Sequence, residues 1–216
     1  MATRGVTMSG KIFGFAGLES YDLVYYAAKV ATNLGFKTLM VDLSEDAALT
    51  FLYHDEIPKG DIVNVNGVDL QRLNLQKGSF QEYDYVFMYF GNNPVLLEVC
   101  DEIYFVTNFQ KNNIQKLKDI VVPNVPRYLI VRDRCACALN TNVILEQLPN
   151  LDVTEEEVYY LEDADTDLEA RIYLQYSAKT KLSRLSTGIK TLIEHLLDTD
   201  SSKKELDKAW SMLKKG

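Results

Sequence analysis

Cysteine and histidine are scarce in this sequence. Its 216 residues include three cysteines, Cys100, Cys135 and Cys137, and two histidines, His54 and His195. An odd number of cysteines without paired Cys-x-x-Cys motifs favours neither a disulfide framework nor a zinc site. The histidines are far apart, and neither belongs to a group of residues with the spacing of metal ligands. We therefore expect no metal centre, and a reducing compartment fits the cysteine content.

Long apolar runs and an excess of positive charge are also missing. No uninterrupted apolar stretch approaches the roughly 18 residues of a membrane helix, and the first ten residues, MATRGVTMSG, lead into no signal-peptide core. The net charge is -8 and the sequence pI is about 4.9, which opposes attraction to nucleic-acid phosphates. These absences predict a cytoplasmic protein that does not bind nucleic acid.

Short β-rich apolar runs alternate with longer segments of helical periodicity along the chain. This pattern is typical of a three-layer α/β fold, in which a mostly parallel twisted sheet carries helices on both faces. We predict one domain over residues 1–199, with about seven strands. The predicted strands are 11–15, 38–42, 61–65, 85–89, 102–107, 127–132 and 158–161. The predicted helices are 21–34, 95–99, 112–121, 142–147, 168–176 and 186–197.

The first predicted strand runs into a loop with two glycines and then into a long predicted helix. Residues 14–22 read GFAGLESYD. In such strand–loop–helix settings glycines let backbone N–H groups converge on a phosphate, a Lys neutralises its charge and a Ser or Thr holds magnesium. Gly14 and Gly17 alone fit a tight strand-to-helix turn better than they fit a phosphate site.

The order and spacing of the motifs resemble the MinD/ParA family of deviant-Walker ATPases. Residues 14–22 align without a gap to the family's GKGGVGKTT loop, and AAKVATNLGFKTLMVDL resembles its helix, turn and second strand, which ends at Asp42. Segments 83–89, 100–107, 128–132 and 159–167 are similar to later family motifs in the same order. The resemblance covers residues 10–197 and implies a P-loop NTPase-like fold.

Four loop positions depart from that family. Phe15 stands in place of the signature Lys, Glu19 in place of a Gly, Ser20 in place of the P-loop Lys and Tyr21 in place of the magnesium-binding Thr. Like charges about 4 Å apart cost about 4 kcal/mol at an effective dielectric constant near 20, so Glu19 would repel a phosphate. The resemblance with these departures implies a pseudo-ATPase that is not an enzyme and uses neither ATP nor magnesium.

Two further residues are interpreted as remnants of the family's site. Asp42 matches the Asp that orients the attacking water, and Tyr89 stands where a second magnesium-linked Asp would be. One carboxylate without a Lys or a metal cannot sustain phosphoryl transfer, and Asp42 is better explained as a cap for the segment that follows it. The alternative is a divergent ATPase or nucleotide sensor that recruits Lys11 or Lys37.

Residues 200–216 form a separate basic amphipathic segment. On a helical wheel Leu206, Trp210 and Leu213 fall on one side, and the lysines lie outside that side: Lys203, Lys204, Lys208, Lys214 and Lys215. Such helices bind anionic membrane surfaces, and MinD proteins end in a similar helix. Packing of Trp210 onto the domain is the slightly favoured interpretation of this segment, and docking to a membrane or a partner is the other.

These observations predict a non-catalytic protein that scaffolds or positions a larger membrane-linked assembly through protein contacts. Degenerate relatives of this kind, such as the TadZ and CpaE proteins, position pili and secretion systems. We expect a homodimer, with peripheral attachment to the inner face of the membrane as a further expectation.

Overall fold

A computed structural model of the chain describes residues 10–53, 57–73, 80–92, 94–135, 138–177, 182–197 and 201–212. This part of the chain is built on one eight-stranded sheet. The strands are β1 (Lys11–Gly17), β2 (Thr38–Asp42), β3 (Ile62–Val65), β4 (Val68–Arg72), β5 (Tyr85–Gly91), β6 (Glu102–Thr107), β7 (Arg127–Arg134) and β8 (Val158–Glu162). Their order is β3-β4-β2-β5-β1-β6-β7-β8. The predicted three-layer α/β fold is confirmed.

The sheet is parallel except at one edge, where β3 and β4 form an antiparallel hairpin. Strand β4 is absent from the sequence-based prediction. Asn66 and Gly67 make its two-residue turn with φ values of 52° and 91°. An Asn-Gly pair between two apolar runs is the strongest short-range signal for a hairpin, so this strand could have been recognised from the sequence.

Six α-helices surround the sheet in the described part of the chain. They are α1 (Tyr21–Asn33), α2 (Lys111–Leu117), α3 (Asn142–Leu145), α4 (Asp165–Ser177), α5 (Thr187–Leu197) and α6 (Lys203–Ser211). The helix predicted over residues 95–99 is instead a single 3-10 turn, Leu97–Val99. Leu96 before it has left-handed backbone with φ 61°, which prevents an earlier helical start.

The two faces of the sheet bury separate apolar layers. On one face α1, α4, α5 and α6 contribute to a core that includes Phe13, Phe15 and Tyr104. On the other face α2 and α3 pack over a core that includes Phe90 and Phe105. Because both faces are covered, the central strands are buried throughout and carry near-continuous apolar runs.

Helix α6 packs against α1. Trp210 is 4% exposed, and its indole N–H donates to Glu194 Oε1 on α5 at 2.9 Å. The Asn33 side-chain amide at the end of α1 donates to the Ala209 carbonyl at 2.9 Å. Within the described part of the basic segment, Ala209 and Trp210 are therefore covered by the rest of the protein.

Candidate functional site

The loop after β1 lies at the carboxyl edge of the sheet, where ligands of parallel α/β folds bind. Gly17 has φ 112°, and a Cβ atom there would lie 2.3 Å from the Val106 carbonyl oxygen of β6. The next residue, Leu18, donates its N–H to that same oxygen at 2.8 Å. A glycine is required at this position because the loop presses against β6 before it turns into α1.

The first substituted loop residue points into the core. Phe15 is buried, and its ring stacks on Tyr104 with the ring centroids 5.3 Å apart. It therefore extends the apolar layer beneath α1 and is not a side chain presented to a ligand.

Tyr89, at the end of β5, closes the loop from the neighbouring strand. Its hydroxyl lies beside the Ser20 backbone N–H, and both residues are buried. Burial raises the pKa of this phenol, the nearby carboxylates of Asp46 and Glu19 raise it further, and the Ser20 N–H opposes the rise. The Ser20 N–H, which in a phosphate-binding loop would face the ligand, therefore faces a side chain of the protein.

Two acidic residues of the loop and helix start have opposite surroundings. The Glu19 side chain is exposed to solvent. Partial burial nevertheless raises the pKa of its carboxyl group, and the positive charge of Arg171 opposes that rise. Asp22, in the first turn of α1, is fully buried. A carboxylate at this position also interacts favourably with the positive end of the helix dipole.

Asp22 forms a buried ion pair with Arg132 of β7. Both guanidinium nitrogens donate to the carboxylate at 2.7 Å, and one also donates to the Glu19 carbonyl at 2.8 Å. Burial alone would lower the pKa of Arg132, but the Asp22 carboxylate raises it above its ordinary value. The pair ties the start of α1 to the end of β7, which is 110 residues away in sequence.

Asp42 is tied to the segment that follows β2. It is buried, and it accepts hydrogen bonds from the backbone N–H groups of Ser44 at 3.0 Å and Leu49 at 2.9 Å. Burial raises the pKa of its carboxyl group, while these hydrogen bonds oppose the rise. The carboxylate anchors the turn Ala48–Leu52 to the end of the strand, which is the capping geometry expected as one interpretation.

Neither lysine of the nucleotide-sensor alternative reaches the loop. Lys11 pairs with Glu102 at 2.5 Å, and Lys37 pairs with Glu82. Both lysines lie at the amino edge of the parallel strands, opposite the loop. Among the described residues, the cations whose charges act on the loop carboxylate Glu19 are Arg132 and Arg171.

Arg171 approaches the loop from α4. Its backbone carbonyl accepts a hydrogen bond from the Tyr21 hydroxyl at 3.0 Å, and its guanidinium lies 3.9 Å from Asp133. A cavity of about 20 Å³ between Arg132, Arg171 and Asp167 has room for about one water molecule. Sequence reasoning did not find this arginine, because nothing in its local pattern places it beside a loop some 150 residues earlier.

The residues of this loop do not fit a standard magnesium–ATP cradle. The Tyr89 hydroxyl lies beside the Ser20 N–H, the Tyr21 hydroxyl donates to the Arg171 backbone carbonyl and no lysine follows Gly17 in the loop. A phosphate bound here would need its positive charge from outside the loop.

The residues of the basic segment differ in exposure. Lys203, Lys204 and Lys208 are exposed, and Leu206 is partly buried. Trp210 is buried against α1 and α5, which favours the packing interpretation over docking of its indole to a membrane. Leu213, Lys214 and Lys215 lie outside the described residues, as do His54 and Cys137.

Solved structures with the same architecture exist. A MinC:MinD cell division protein complex from Aquifex aeolicus matches with a TM-score of 0.64 at 11% identity, covering 89% of this chain and 98% of that chain. A McdA–ATP complex from Cyanothece matches with a TM-score of 0.59 at 11% identity, covering 90% and 98%. A ParA family ATPase from Chlorobium tepidum matches with a TM-score of 0.56 at 14% identity, covering 94% and 96%.

The chain has the ParA/MinD fold. No protein-family model and no curated protein matches the sequence. The resemblance drawn from the motif order is confirmed at the level of the fold.

Two predictions are contradicted by this finding. The chain is predicted to be no enzyme and to use neither ATP nor magnesium, whereas proteins that share its ParA/MinD fold are ATPases and include an ATP complex. Both predictions were drawn from the loop motif alone, and a motif shows only where one family carries its charged residues in the sequence. In the folded protein a positive charge can also reach a phosphate from a neighbouring helix or strand.

The expectations about partners and location are supported only in part. The neighbours with the ParA/MinD fold include a MinD protein in complex with MinC. The prediction that nucleic acid is no partner gains no support from these comparisons. Within the residues that the structure describes, no helix is long and apolar enough to cross a membrane.

Proposed function

We propose that this protein positions a larger, membrane-associated assembly by binding other proteins, and that it uses a nucleotide at a divergent site. The observation that carries the proposal is the match over nearly the full length of ParA/MinD-fold proteins, with 98% of the MinD and McdA chains covered. We infer that the surfaces of this shared architecture are the ones through which the chain binds other proteins.

The nucleotide site that we propose lies at the carboxyl edge beside the loop. Arg171 supplies positive charge there in place of the missing loop lysine, since it acts on Glu19 from α4. Arg132 is held by Asp22 at 2.7 Å, whereas the Arg171 guanidinium has a longer contact of 3.9 Å with Asp133, so Arg171 is the cation that can turn toward a phosphate at lower cost. Tyr89 must move away for the Ser20 N–H to contribute.

Calorimetric titration of the full chain with ATP and Mg²⁺ tests this site. We expect saturable binding that Arg171→Ala weakens about tenfold or more, because a charge-assisted contact to phosphate is lost. Arg127→Ala is the matched control, since Arg127 lies at the opposite edge of the sheet and pairs with Asp152. Absence of saturable binding would refute the nucleotide part of the proposal.

The positioning role is tested separately in cells. A fluorescent fusion of the chain should concentrate at discrete sites, and a uniform distribution would count against positioning whatever the titration shows. The exposed lysines of α6 supply the proposed attraction to anionic membranes. Replacing Lys203, Lys204 and Lys208 by Gln should reduce pelleting with anionic vesicles; equal pelleting of both proteins would exclude that attachment.

A further inference from the structure

Tyr89 lies between the ends of two neighbouring strands and below the start of α1. In the sheet it pairs with Phe15 of β1 on one side and with Asp42 of β2 on the other. It belongs to the apolar layer that α1 covers, and it is 1% exposed. Its hydroxyl lies beside the Ser20 N–H. The N-terminus of α1 therefore meets the phenol of Tyr89 instead of solvent.

Ser20 has a second polar group that the fold leaves unpaired. Its side chain is fully buried, and its hydroxyl has no hydrogen-bond partner among the described residues. Ser20 is the N-cap residue of α1, yet its side chain makes no capping hydrogen bond. A buried hydroxyl without a partner costs free energy, and an absent ligand is one explanation for it. The N-terminus of a 13-residue helix favours an anion as that ligand.

The backbone that carries Tyr89 is irregular. Phe15 of β1 pairs with Tyr89, as described above. The next residue of β1, Ala16, pairs with Gly91, so Phe90 has no partner in β1 and forms a bulge. Gly91 itself has left-handed backbone with φ 62°. Bulges interrupt the hydrogen-bonded ladder and are common next to functional sites, where they change the direction of a side chain.

We propose that Tyr89 is an internal plug of an anion site at the N-terminus of α1. In the closed state its hydroxyl takes the place of a ligand oxygen beside the Ser20 N–H. In the open state the side chain moves aside, and a phosphate oxygen pairs with the N–H and the hydroxyl of Ser20. This inference rests on the proposed nucleotide site, and it adds that the site is closed by the protein's own side chain when no ligand is bound.

The charges around the plug favour the closed state in the absence of a ligand. Burial and the carboxylates of Asp46 and Glu19 raise the pKa of Tyr89, so its phenol stays neutral at physiological pH. A neutral oxygen can face the helix N-terminus without adding a negative charge beside those carboxylates. A phosphate does add one, so it binds only when a cation such as Arg171 offsets that charge. The affinity of the wild type is then reduced by the small fraction of molecules in the open state.

Calorimetric titration of the full chain with tripolyphosphate tests the plug, because this probe carries the phosphates of ATP without its base and ribose. We expect Tyr89→Leu to bind the probe about tenfold more tightly than the wild type or better, since the shorter side chain leaves the site open. Tyr89→Met is a second opening variant, in which an unbranched side chain replaces the ring. Circular dichroism establishes that each variant is folded.

Tyr85→Leu is the matched control. Tyr85 lies on the same strand and the same face, four residues before Tyr89. Its hydroxyl, however, donates to the Leu197 carbonyl at 3.1 Å, at the opposite edge of the sheet. This variant should bind tripolyphosphate as the wild type does.

The outcomes separate the plug from the proposed function. Opening variants that bind tripolyphosphate no more tightly than the wild type would overturn the plug, whether or not the wild type binds ATP. Equal tightening in Tyr85→Leu would overturn it as well, because the effect would not belong to the loop. Tight binding by the opening variants, without saturable ATP binding by the wild type, would support the plug and refute the nucleotide part of the proposed function.

Discussion

At the scale of single residues, the buried ion pair of Asp22 and Arg132 is the strongest electrostatic feature beside the loop. Both carboxylate oxygens accept from the guanidinium at 2.7 Å. Such a pair contributes little when compared with an apolar replacement, because removing both charges from water costs free energy. Removing one partner is different, since the other is left buried and uncompensated.

We therefore expect Asp22→Ala to lower the free energy of unfolding by about 3–5 kcal/mol. Urea denaturation monitored by circular dichroism gives the difference. Asp152→Ala is the control, because Asp152 pairs with Arg127 at 2.9 Å but is 84% exposed. The free energy of unfolding of Asp152→Ala should be close to that of the wild type. An equal loss of stability in the two variants would show that the Asp22 pair is not buried as described.

Cys100 supports a prediction about pH. Burial, together with the nearby carboxylates of Asp101 and Glu98, raises the pKa of its thiol to about 12. An unfolded thiol ionises near pH 8.5, so between these values the unfolded state releases a proton that the folded state keeps. The contribution to stability is complete below about pH 8.5 and is lost as the pH rises, by up to about 1.4 kcal/mol per pH unit.

Urea denaturation at pH 8 and pH 10 measures this loss, with Cys100→Ala as the reference, since it cancels the effect of the buried tyrosines. The wild type should lose more stability than the variant over this interval. In a Cys135→Ser, Cys137→Ser background the native protein should also react slowly with a thiol reagent and rapidly in urea. Fast labelling of the native state would contradict the burial of Cys100.

At the scale of elements, α6 shows how a sequence pattern can have two outcomes. An apolar side with a tryptophan and a lysine-rich opposite side is typical both of a membrane-surface helix and of a last helix that packs on its domain. The two kinds of helix share this pattern because a membrane and a protein core both offer an apolar surface to one side of the helix while water covers the other side. The structure places the apolar side on α1, with the Trp210 N–H bonded to Glu194.

Trp210→Ala should therefore lower the free energy of unfolding by about 3–5 kcal/mol, as expected for truncating a large buried aromatic side chain. Thermal and urea unfolding of this variant provide the measurement. The triple variant with Gln at Lys203, Lys204 and Lys208 is the control, because these side chains are exposed. An unchanged stability of Trp210→Ala would mean that α6 detaches from the domain in solution.

The strand that the sequence-based prediction missed is also an element-scale lesson. The sequence-based prediction places a strand at residues 61–65 and none at Val68–Arg72, which follows Ile62–Val65 after only two residues. The Asn66-Gly67 pair permits the two positive φ values that such a short connection needs. Recognising turn chemistry, rather than apolar periodicity, would have supplied this strand.

At the scale of the whole molecule, the order of the strands places the loop, Asp42, Tyr89 and Arg132 at one edge. These residues end β1, β2, β5 and β7 or directly follow them. Because the strands are parallel, their carboxyl ends meet at the same edge of the sheet. The motif order in the sequence therefore predicted which strand ends would meet, and the ParA/MinD fold confirms the architecture.

The sequence by itself determined the layered α/β architecture, since apolar periodicity is a local property that survives in any correct fold. It also determined that the loop lacks a lysine, because the residue type at each position is read directly from the sequence. Only the tertiary structure decided that Tyr89 lies beside the Ser20 N–H, that Arg132 and Arg171 lie beside the loop and that Trp210 is covered. Each of these features depends on contacts between residues far apart in the chain. A local sequence pattern does not specify which distant side chain will lie beside a given residue in the folded protein.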